Sequence, residues 1–229
     1  MLVSEIFQAH QGEGAYSGTT SLFIRTSGCN LRCAWCDTRY TSWKPEGIVR
    51  SVASILDETD RWAGVQHVVI TGGEPLIQRD LAQLVDGLRE RGNRFITIET
   101  AGTLYDETVT PDFFSISPKL RHSEPGDEFP RHRALHHRNN RFDRLPFFVN
   151  GSTDFQIKFV VQDEGDTREI LDLIHQFDIP RSKVYLMPQA MSYEQLHARQ
   201  PAVSQICERE GLNFSGRLHI EQWGNRRAT

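Results

Sequence analysis

Three of the four cysteines in this chain stand close together, in Gly28-Cys29-Asn30-Leu31-Arg32-Cys33-Ala34-Trp35-Cys36-Asp37-Thr38. Thiolates are the ligands of iron–sulfur clusters, and a 4Fe–4S cube normally takes four of them. The C-x3-C-x2-C spacing supplies three. The remaining cysteine, Cys207, lies far along the chain in the helix-like stretch Gln205-Ile206-Cys207-Glu208, where it reads as a packed core residue. A 4Fe–4S cluster held by Cys29, Cys33 and Cys36 alone has one iron free to bind a small molecule. Two plainer readings compete. A zinc knuckle needs a fourth Cys or His nearby, because structural zinc sites are four-coordinate, and the nearest histidines, His10 and His67, are not at knuckle spacing. Three unrelated buried cysteines would need no such spacing.

A second motif is Val68-Val69-Ile70-Thr71-Gly72-Gly73-Glu74-Pro75, an apolar run ending in two glycines, where backbone can approach a ligand closely. Alone it would also serve as an ordinary strand-to-helix turn. Together with C-x3-C-x2-C and an aromatic residue, Trp35, just before the last cysteine, it resembles the radical S-adenosylmethionine superfamily. The resemblance implies that the open iron chelates the amino and carboxylate groups of S-adenosylmethionine. An electron from the cluster then cleaves the sulfonium to a 5′-deoxyadenosyl radical, chemistry that belongs to the cofactor while the protein orients it.

Further segments resemble one family within that superfamily, 7-carboxy-7-deazaguanine synthase. They are Phe7-Gln8-Ala9-His10-Gln11-Gly12-Glu13-Gly14, then Phe23-Ile24-Arg25 leading into the cysteine loop, and Cys36-Asp37-Thr38. Ile116-Ser117-Pro118-Lys119, Met187-Pro188-Gln189 and the ending His219-Ile220-Glu221-Gln222-Trp223-Gly224-Asn225-Arg226-Arg227 follow the same pattern. Gln-Gly-Glu-Gly ahead of the cysteines is the discriminating piece, and mainly residues 121–150 stay uncovered. The resemblance implies an incomplete β/α barrel acting as a homodimer in queuosine and 7-deazapurine biosynthesis. It implies conversion of 6-carboxy-5,6,7,8-tetrahydropterin to 7-carboxy-7-deazaguanine with loss of ammonia, S-adenosylmethionine being regenerated, and a requirement for Mg²⁺.

On that resemblance the residue types suit definite roles. Arg25 holds the substrate carboxylate through a bidentate pair, unless it is a plain surface arginine on an edge strand. Thr38 gives a hydroxyl to Mg²⁺, which prefers oxygen donors and keeps several waters; its other reading is a cap on the loop. Glu13 and Gln11, with backbone groups of His10 and Gly12, read the amino-pyrimidinone edge of the pterin, and Thr71 adds a hydroxyl. His219 sits near the substrate or in the core. Trp35, Asp37, Gly73, Ser117, Lys119 and Gln189 line the S-adenosylmethionine site.

These residues need a scaffold, and the hydropathy pattern predicts one. Strands are expected at 21–26, 67–71, 95–100, 113–117, 155–161, 183–187 and 217–221. Helices are expected at about 48–62, 79–91, 166–177 and 192–210. Alternating strands and helices favour an α/β fold with a mainly parallel sheet, in which ligands sit at the C-terminal strand ends. The expectation is a single domain over 1–229 with a basic loop insertion at about 121–150. That stretch carries Arg121, Arg131, Arg133, Arg138, Arg141 and Arg144 among histidines and prolines, and reads as structureless: a mobile insertion, a lid, or a basic surface for an anionic partner.

A net charge of −4 argues against general nucleic-acid binding. No apolar run reaches the roughly 20 residues of a membrane span, and the first residues lack signal-peptide character, so a cytoplasmic enzyme is expected. The expected partners are the pterin, a reducing protein such as a flavodoxin or ferredoxin, and a second copy of the chain. An activating enzyme that installs a glycyl radical would share the cysteine and Gly-Gly-Glu motifs without needing Gln-Gly-Glu-Gly. A non-catalytic iron–sulfur electron-transfer module would want four cysteine ligands and no Arg25.

Overall fold

The computed structural model describes residues 1–228; Thr229, the last residue of the expected domain, lies outside the described residues. The strands are β1 (Leu2–His10), β2 (Thr20–Thr26), β3 (Ile48–Val49), β4 (His67–Gly72), β5 (Phe95–Thr100), β6 (Phe113–Ile116), β7 (Asp154–Val161), β8 (Val184–Pro188) and β9 (Asn213–Phe214). The helices are α1 (Arg39–Ser42), α2 (Val52–Thr59), α3 (Leu81–Glu90), α4 (Pro130–Asn139), α5 (Leu145–Val149), α6 (Asp166–Gln176), α7 (Tyr193–Glu210) and α8 (Leu218–Trp223). One open sheet runs in the order β3-β1-β2-β4-β5-β6-β7-β8-β9. β1 is antiparallel to both β2 and β3, and every pair from β2–β4 to β8–β9 is parallel. This is the mainly parallel sheet that the alternation favoured, curved into the incomplete β/α barrel that the resemblance implied.

Period-two alternation divides the sheet into two chemically different faces. Leu22, Ile24, Val68, Ile70, Ile96, Ile98, Ile116, Ile157, Phe159 and Leu186 are buried in one core with the apolar sides of α2, α3, α6 and α7. Each such side chain contributes about 1.5–3 kcal/mol through burial. Cys207 is part of this core, on α7, far in role from the cysteine loop. The alternate positions, Arg25, Thr71, Glu99, Ser115, Ser117 and Lys158, turn to the other face and line a cavity. No helix among the described residues is long and apolar enough to cross a membrane.

Three expectations are corrected and one strand is added. Residues 217–221 are not a strand: α8 begins there, and the sheet ends instead on the short β9. The helix expected from residue 48 starts at Val52, because β-branched Ile48 and Val49 pair with Leu2 and Val3 and Ser51 caps the helix by accepting from the Ser54 N–H. β1 was not expected as a strand; its pairing with β2 gives it its place. Residues 121–150 are not structureless, since a 3-10 turn at Arg121–Ser123 is followed by α4 and α5. Leu145 and Phe148 tie that insertion to the main core, and His136 is buried within it.

The cysteine loop follows β2 and is clasped by the turn after β4. Gly28 N–H donates to Thr41 O (2.8 Å), and Glu74 N–H donates to Gly28 O (2.9 Å). This contact tolerates no side chain. Gly72 has φ +133°, and a Cβ there would stand 2.0 Å from Thr26 O; a Cβ on Gly73 would stand 2.0 Å from Gly28 O. Glu74 is fully buried and accepts from Thr100 Oγ1 and Ala101 N–H (both 2.8 Å), locking the turn to the end of β5. Gly73→Ala must therefore push Gly28, and Cys29 with it, out of place. The expected outcome is native far-UV circular dichroism with iron per chain well below wild type after anaerobic reconstitution. Gly64→Ala, which meets nothing within 4 Å, should load iron normally. Full iron in Gly73→Ala would show that the clasp does not position the loop.

Candidate active site

A cavity of about 460 Å³ opens at the C-terminal ends of β2, β4, β5 and β6. Cys29, Cys33 and Cys36 line it, and so do His10, Gln11, Gly12, Glu13, Arg25, Thr71 and His219. Trp35, Asp37, Thr38, Gly73, Ser117 and Lys119 line it as well. Gln189 does not: both its backbone and its side-chain oxygen accept from Arg199 Nη1. With that one exception the fold brings every expected site residue to one space.

Burial pushes the Cys29 thiol up to about 12, with Glu74 adding to the effect. Burial raises Cys33 and Cys36 too; at Cys33 Lys119 opposes it while Cys36, Cys29 and Asp37 add to it, and at Cys36 Asp37 adds to it while hydrogen bonds from Ser42 and Thr38 oppose it. Three neutral thiols in one pocket suit a metal cluster, whose charge draws off their protons and stabilises the thiolates. Among the described residues no three His, Cys, Asp or Glu side chains converge closely enough to hold a single metal ion. Beside them Trp35 Nε1 is buried without a hydrogen-bond partner, a donor left over for a ligand. Trp35 packs in a tilted arrangement against His122 (centroids 5.6 Å apart), and Lys119 Nζ lies 5.6 Å over its ring while donating to Ser117 Oγ at 2.7 Å. A 4Fe–4S cluster with S-adenosylmethionine fits this donor set.

The same cavity has an ionic floor. Lys158 Nζ contacts Glu13 (2.9 Å) and Glu99 (3.5 Å). Arg217 bridges Glu13 (3.0 Å) and Asp37 (2.7 Å), so the floor is continuous with the cysteine loop. Burial alone would raise the carboxyl pKa of Glu13, but Lys158 and then Arg217 override it and hold the group far below the usual carboxylate range. Asp37 is likewise lowered, burial being outweighed by Arg217. Gln11 links the parts: its amide donates to Glu99 (3.1 Å) and its oxygen accepts from the Glu13 N–H (3.2 Å). Thr71 Oγ1 donates to the other oxygen of Glu99 (2.8 Å).

Gly12 has to be glycine, since a Cβ there would sit 2.2 Å from the His219 ring. Burial lowers the His219 pKa, so its ring is neutral beside Glu13. Arg25 donates through Nε to Glu5 (2.7 Å), and its guanidinium lies 5.5 Å from the Phe7 ring centroid. Both terminal nitrogens of Arg25 make no hydrogen bond among the described residues, so a planar pair of donors remains. Thr38 precedes α1 yet makes no side-chain cap; its hydroxyl lies 3.8 Å from Cys36 Sγ.

Glu99, Lys158 and Arg217 were not anticipated from the sequence. For two of them a signal exists: Glu99 in Phe-Ile-Thr-Ile-Glu-Thr and Lys158 in Asp-Phe-Gln-Ile-Lys-Phe-Val-Val are charges inside otherwise buried strands, and buried charges are retained only when paired. Arg217 sits in a loop with no comparable periodic frame.

Comparison with known proteins agrees with this geometry. The model of the radical SAM superfamily matches residues 23–188. The chain is 44% identical over 231 residues to 7-carboxy-7-deazaguanine synthase of Rhodopirellula baltica, covering 100% of this chain and 89% of that protein. The enzyme of the same name from Halobacterium salinarum is 37% identical, with 97% and 90% covered. The crystal structure of QueE from Escherichia coli superposes with a TM-score of 0.70 at 26% identity, over 95% of this chain and 94% of that one. Three cysteines, a glycine clasp and an ionic floor in one cavity thus go with full-length likeness to named enzymes, and the chain belongs to the 7-carboxy-7-deazaguanine synthase family of the radical S-adenosylmethionine superfamily.

Proposed function

We propose that this chain converts 6-carboxy-5,6,7,8-tetrahydropterin to 7-carboxy-7-deazaguanine with loss of ammonia, in queuosine and 7-deazapurine biosynthesis. The observation that carries the reading is the lining of one cavity by both the three cysteines and the Glu13–Lys158–Glu99 floor. Cys29, Cys33 and Cys36 would hold the cluster, and Trp35, Asp37, Gly73, Ser117 and Lys119 would surround S-adenosylmethionine. When bound, the two supply the 5′-deoxyadenosyl radical that takes a hydrogen from the carboxylate-bearing carbon of the pterin.

The chain's own residues position that carbon. Hydrogen abstraction needs the reacting atoms within about 3–3.5 Å, so orientation is the protein's main contribution. Glu13 is kept ionised by Lys158 and Arg217, which makes it an acceptor for the amino and ring N–H groups of an amino-pyrimidinone edge. Gln11 and Thr71 fix Glu99, so the floor presents its acceptors in one arrangement. The free terminal nitrogens of Arg25 suit the substrate carboxylate as a bidentate partner. Thr38 offers a hydroxyl that caps no helix and is held only by its 3.8 Å contact with Cys36 Sγ, at the mouth of the cysteine loop, where Mg²⁺ would touch both protein and substrate carboxylate. The enzyme would work as a cytoplasmic homodimer; Ile48 and Val49 on the edge strand, 73% and 80% exposed, form an apolar patch that such a partner would cover.

Anaerobic incubation of the iron-loaded protein with the pterin, S-adenosylmethionine, Mg²⁺ and reductant should yield a product with the mass of 7-carboxy-7-deazaguanine. Loss of a bidentate charge-assisted pair costs on the order of 2–4 kcal/mol. Arg25→Ala should accordingly bind the pterin far more weakly while still binding S-adenosylmethionine. An unchanged KM for the pterin would remove Arg25 from the carboxylate site.

Mg²⁺ titrations separate the roles of Thr38. Thr38→Ala should keep its cluster but lose the stimulation by Mg²⁺, whereas Thr38→Ser, which retains the oxygen, should keep most of it. A Thr38→Ala response equal to wild type would place the ion elsewhere.

A further inference from the structure

The cysteine loop has an outer support that the reaction chemistry does not use. Arg32 N–H donates to His136 Nδ1 (3.2 Å), Asn139 Nδ2 donates to Asn30 O (2.8 Å), and Ala34 N–H donates to Ser123 O (2.8 Å). Because Nδ1 of His136 accepts, Nε2 carries the ring proton and donates to Ser123 Oγ (3.0 Å). The Ser123 hydroxyl then donates to Leu120 O (2.6 Å). Burial lowers His136 to about 4, so the ring is neutral and this single tautomer satisfies every bond. Trp43 reaches the same helix from below the loop, donating to Cys33 O (3.1 Å) and stacking on His132 (4.6 Å). Through these bonds α4 lies directly against the residues between Cys29 and Cys33.

The opposite side of α4 is exposed and cationic. Arg133 is neutralised by Glu124 and Asp127, but Arg131 and Arg138 are exposed and make no ion pair among the described residues. Arg131 lies in the first turn, which holds no acidic residue, although the positive end of a helix disfavours a cation. Folding alone gives no reason for that placement. The chain carries a net charge of −4, yet α4 holds no acid and carries two arginines outside any ion pair among the described residues, so its outer face is locally cationic. The helix stands over the one loop that must receive an electron from outside.

We infer that the outer face of α4, centred on Arg131 and Arg138, is the docking surface for an acidic one-electron carrier protein that reduces the cluster. This inference rests on the cluster reading of Cys29, Cys33 and Cys36. The carrier is oxidised by one electron and the cysteine-held cluster is reduced by the same electron. Redox encounters use small interfaces, below about 1,200 Å², so one helical face is large enough. Complementary charge raises the encounter rate and sets the orientation rather than providing a tight complex.

The probe is a flavodoxin, an acidic flavin-carrying electron carrier, titrated calorimetrically into the iron-loaded protein at low salt. Binding should weaken as salt is raised, and Arg131→Glu with Arg138→Glu should weaken it on the order of tenfold. Stopped-flow bleaching of the cluster by reduced flavodoxin should slow to match, while bleaching by dithionite stays at the wild-type rate. Arg61→Glu, a reversal near the opposite ends of the strands, should leave both unchanged. Unaltered flavodoxin affinity in the α4 variant, or equal weakening by Arg61→Glu, overturns the proposal. So does a helix-dependent affinity for a short RNA oligonucleotide with none for flavodoxin. Absence of iron from wild type would instead sink the cluster reading, and the affinity comparison would still decide the docking surface.

Discussion

The structure depends on a buried ionic chain that joins distant parts of the sequence. Glu99 on β5, Lys158 on β7, Glu13 after β1, Arg217 before α8 and Asp37 in the cysteine loop form one run of contacts. Removing such charges from water costs several kcal/mol for each ion, and the cost is offset only where every charge is paired and hydrogen-bonded. Here Gln11 and Thr71 complete Glu99, and Ala190 O accepts from Arg217 at 2.5 Å. Both ends of the chain and the cysteine loop are thereby fixed to the same strands. A misplaced member would leave an uncompensated charge, so the site and the fold stand or fall together.

The ionic chain can exist because alternation gives the sheet one apolar and one polar face. Outward positions bury Ile, Leu, Val and Phe against helices; inward positions carry Arg25, Thr71, Glu99, Ser115 and Lys158. The open barrel leaves that polar interior accessible at the strand C-termini, where the glycine clasp and the insertion around α4 hold the cysteine loop. Stability comes from one face, chemistry from the other, and neither requires the other's residue types.

Much of this was legible in the sequence, for physical reasons. Central parallel strands such as Val68-Val69-Ile70 are apolar on both sides, and metal ligands need fixed residue types at fixed spacing. The resemblance in Gln11-Gly12-Glu13-Gly14 identified the family. What escaped was decided by tertiary contact. The segment from Arg217 has a strand-like composition, yet α8 forms there, its Leu218 N–H bonded to Gly12 O (2.9 Å). Residues 121–150 looked structureless because α4 has almost no apolar face; it is held by His136, Asn139 and the stacking of His132, none of which periodicity detects. Gln189 is spent on Arg199, a pairing across α7 that no motif announces.

The central claim is that the ionic floor is a coupled unit rather than a set of separate pairs. A double-mutant cycle in urea unfolding tests it most directly, with Lys158→Met, Glu13→Gln and the two combined. Residues that share a buried network couple by about 0.5–3 kcal/mol, so the double variant should be more stable than the sum of the single losses predicts. Lys158→Met alone should be the worst of the three, because it leaves both Glu13 and Glu99 short of a counter-charge. Single losses that add to within about 0.3–0.5 kcal/mol would contradict the account, since independent sites behave that way.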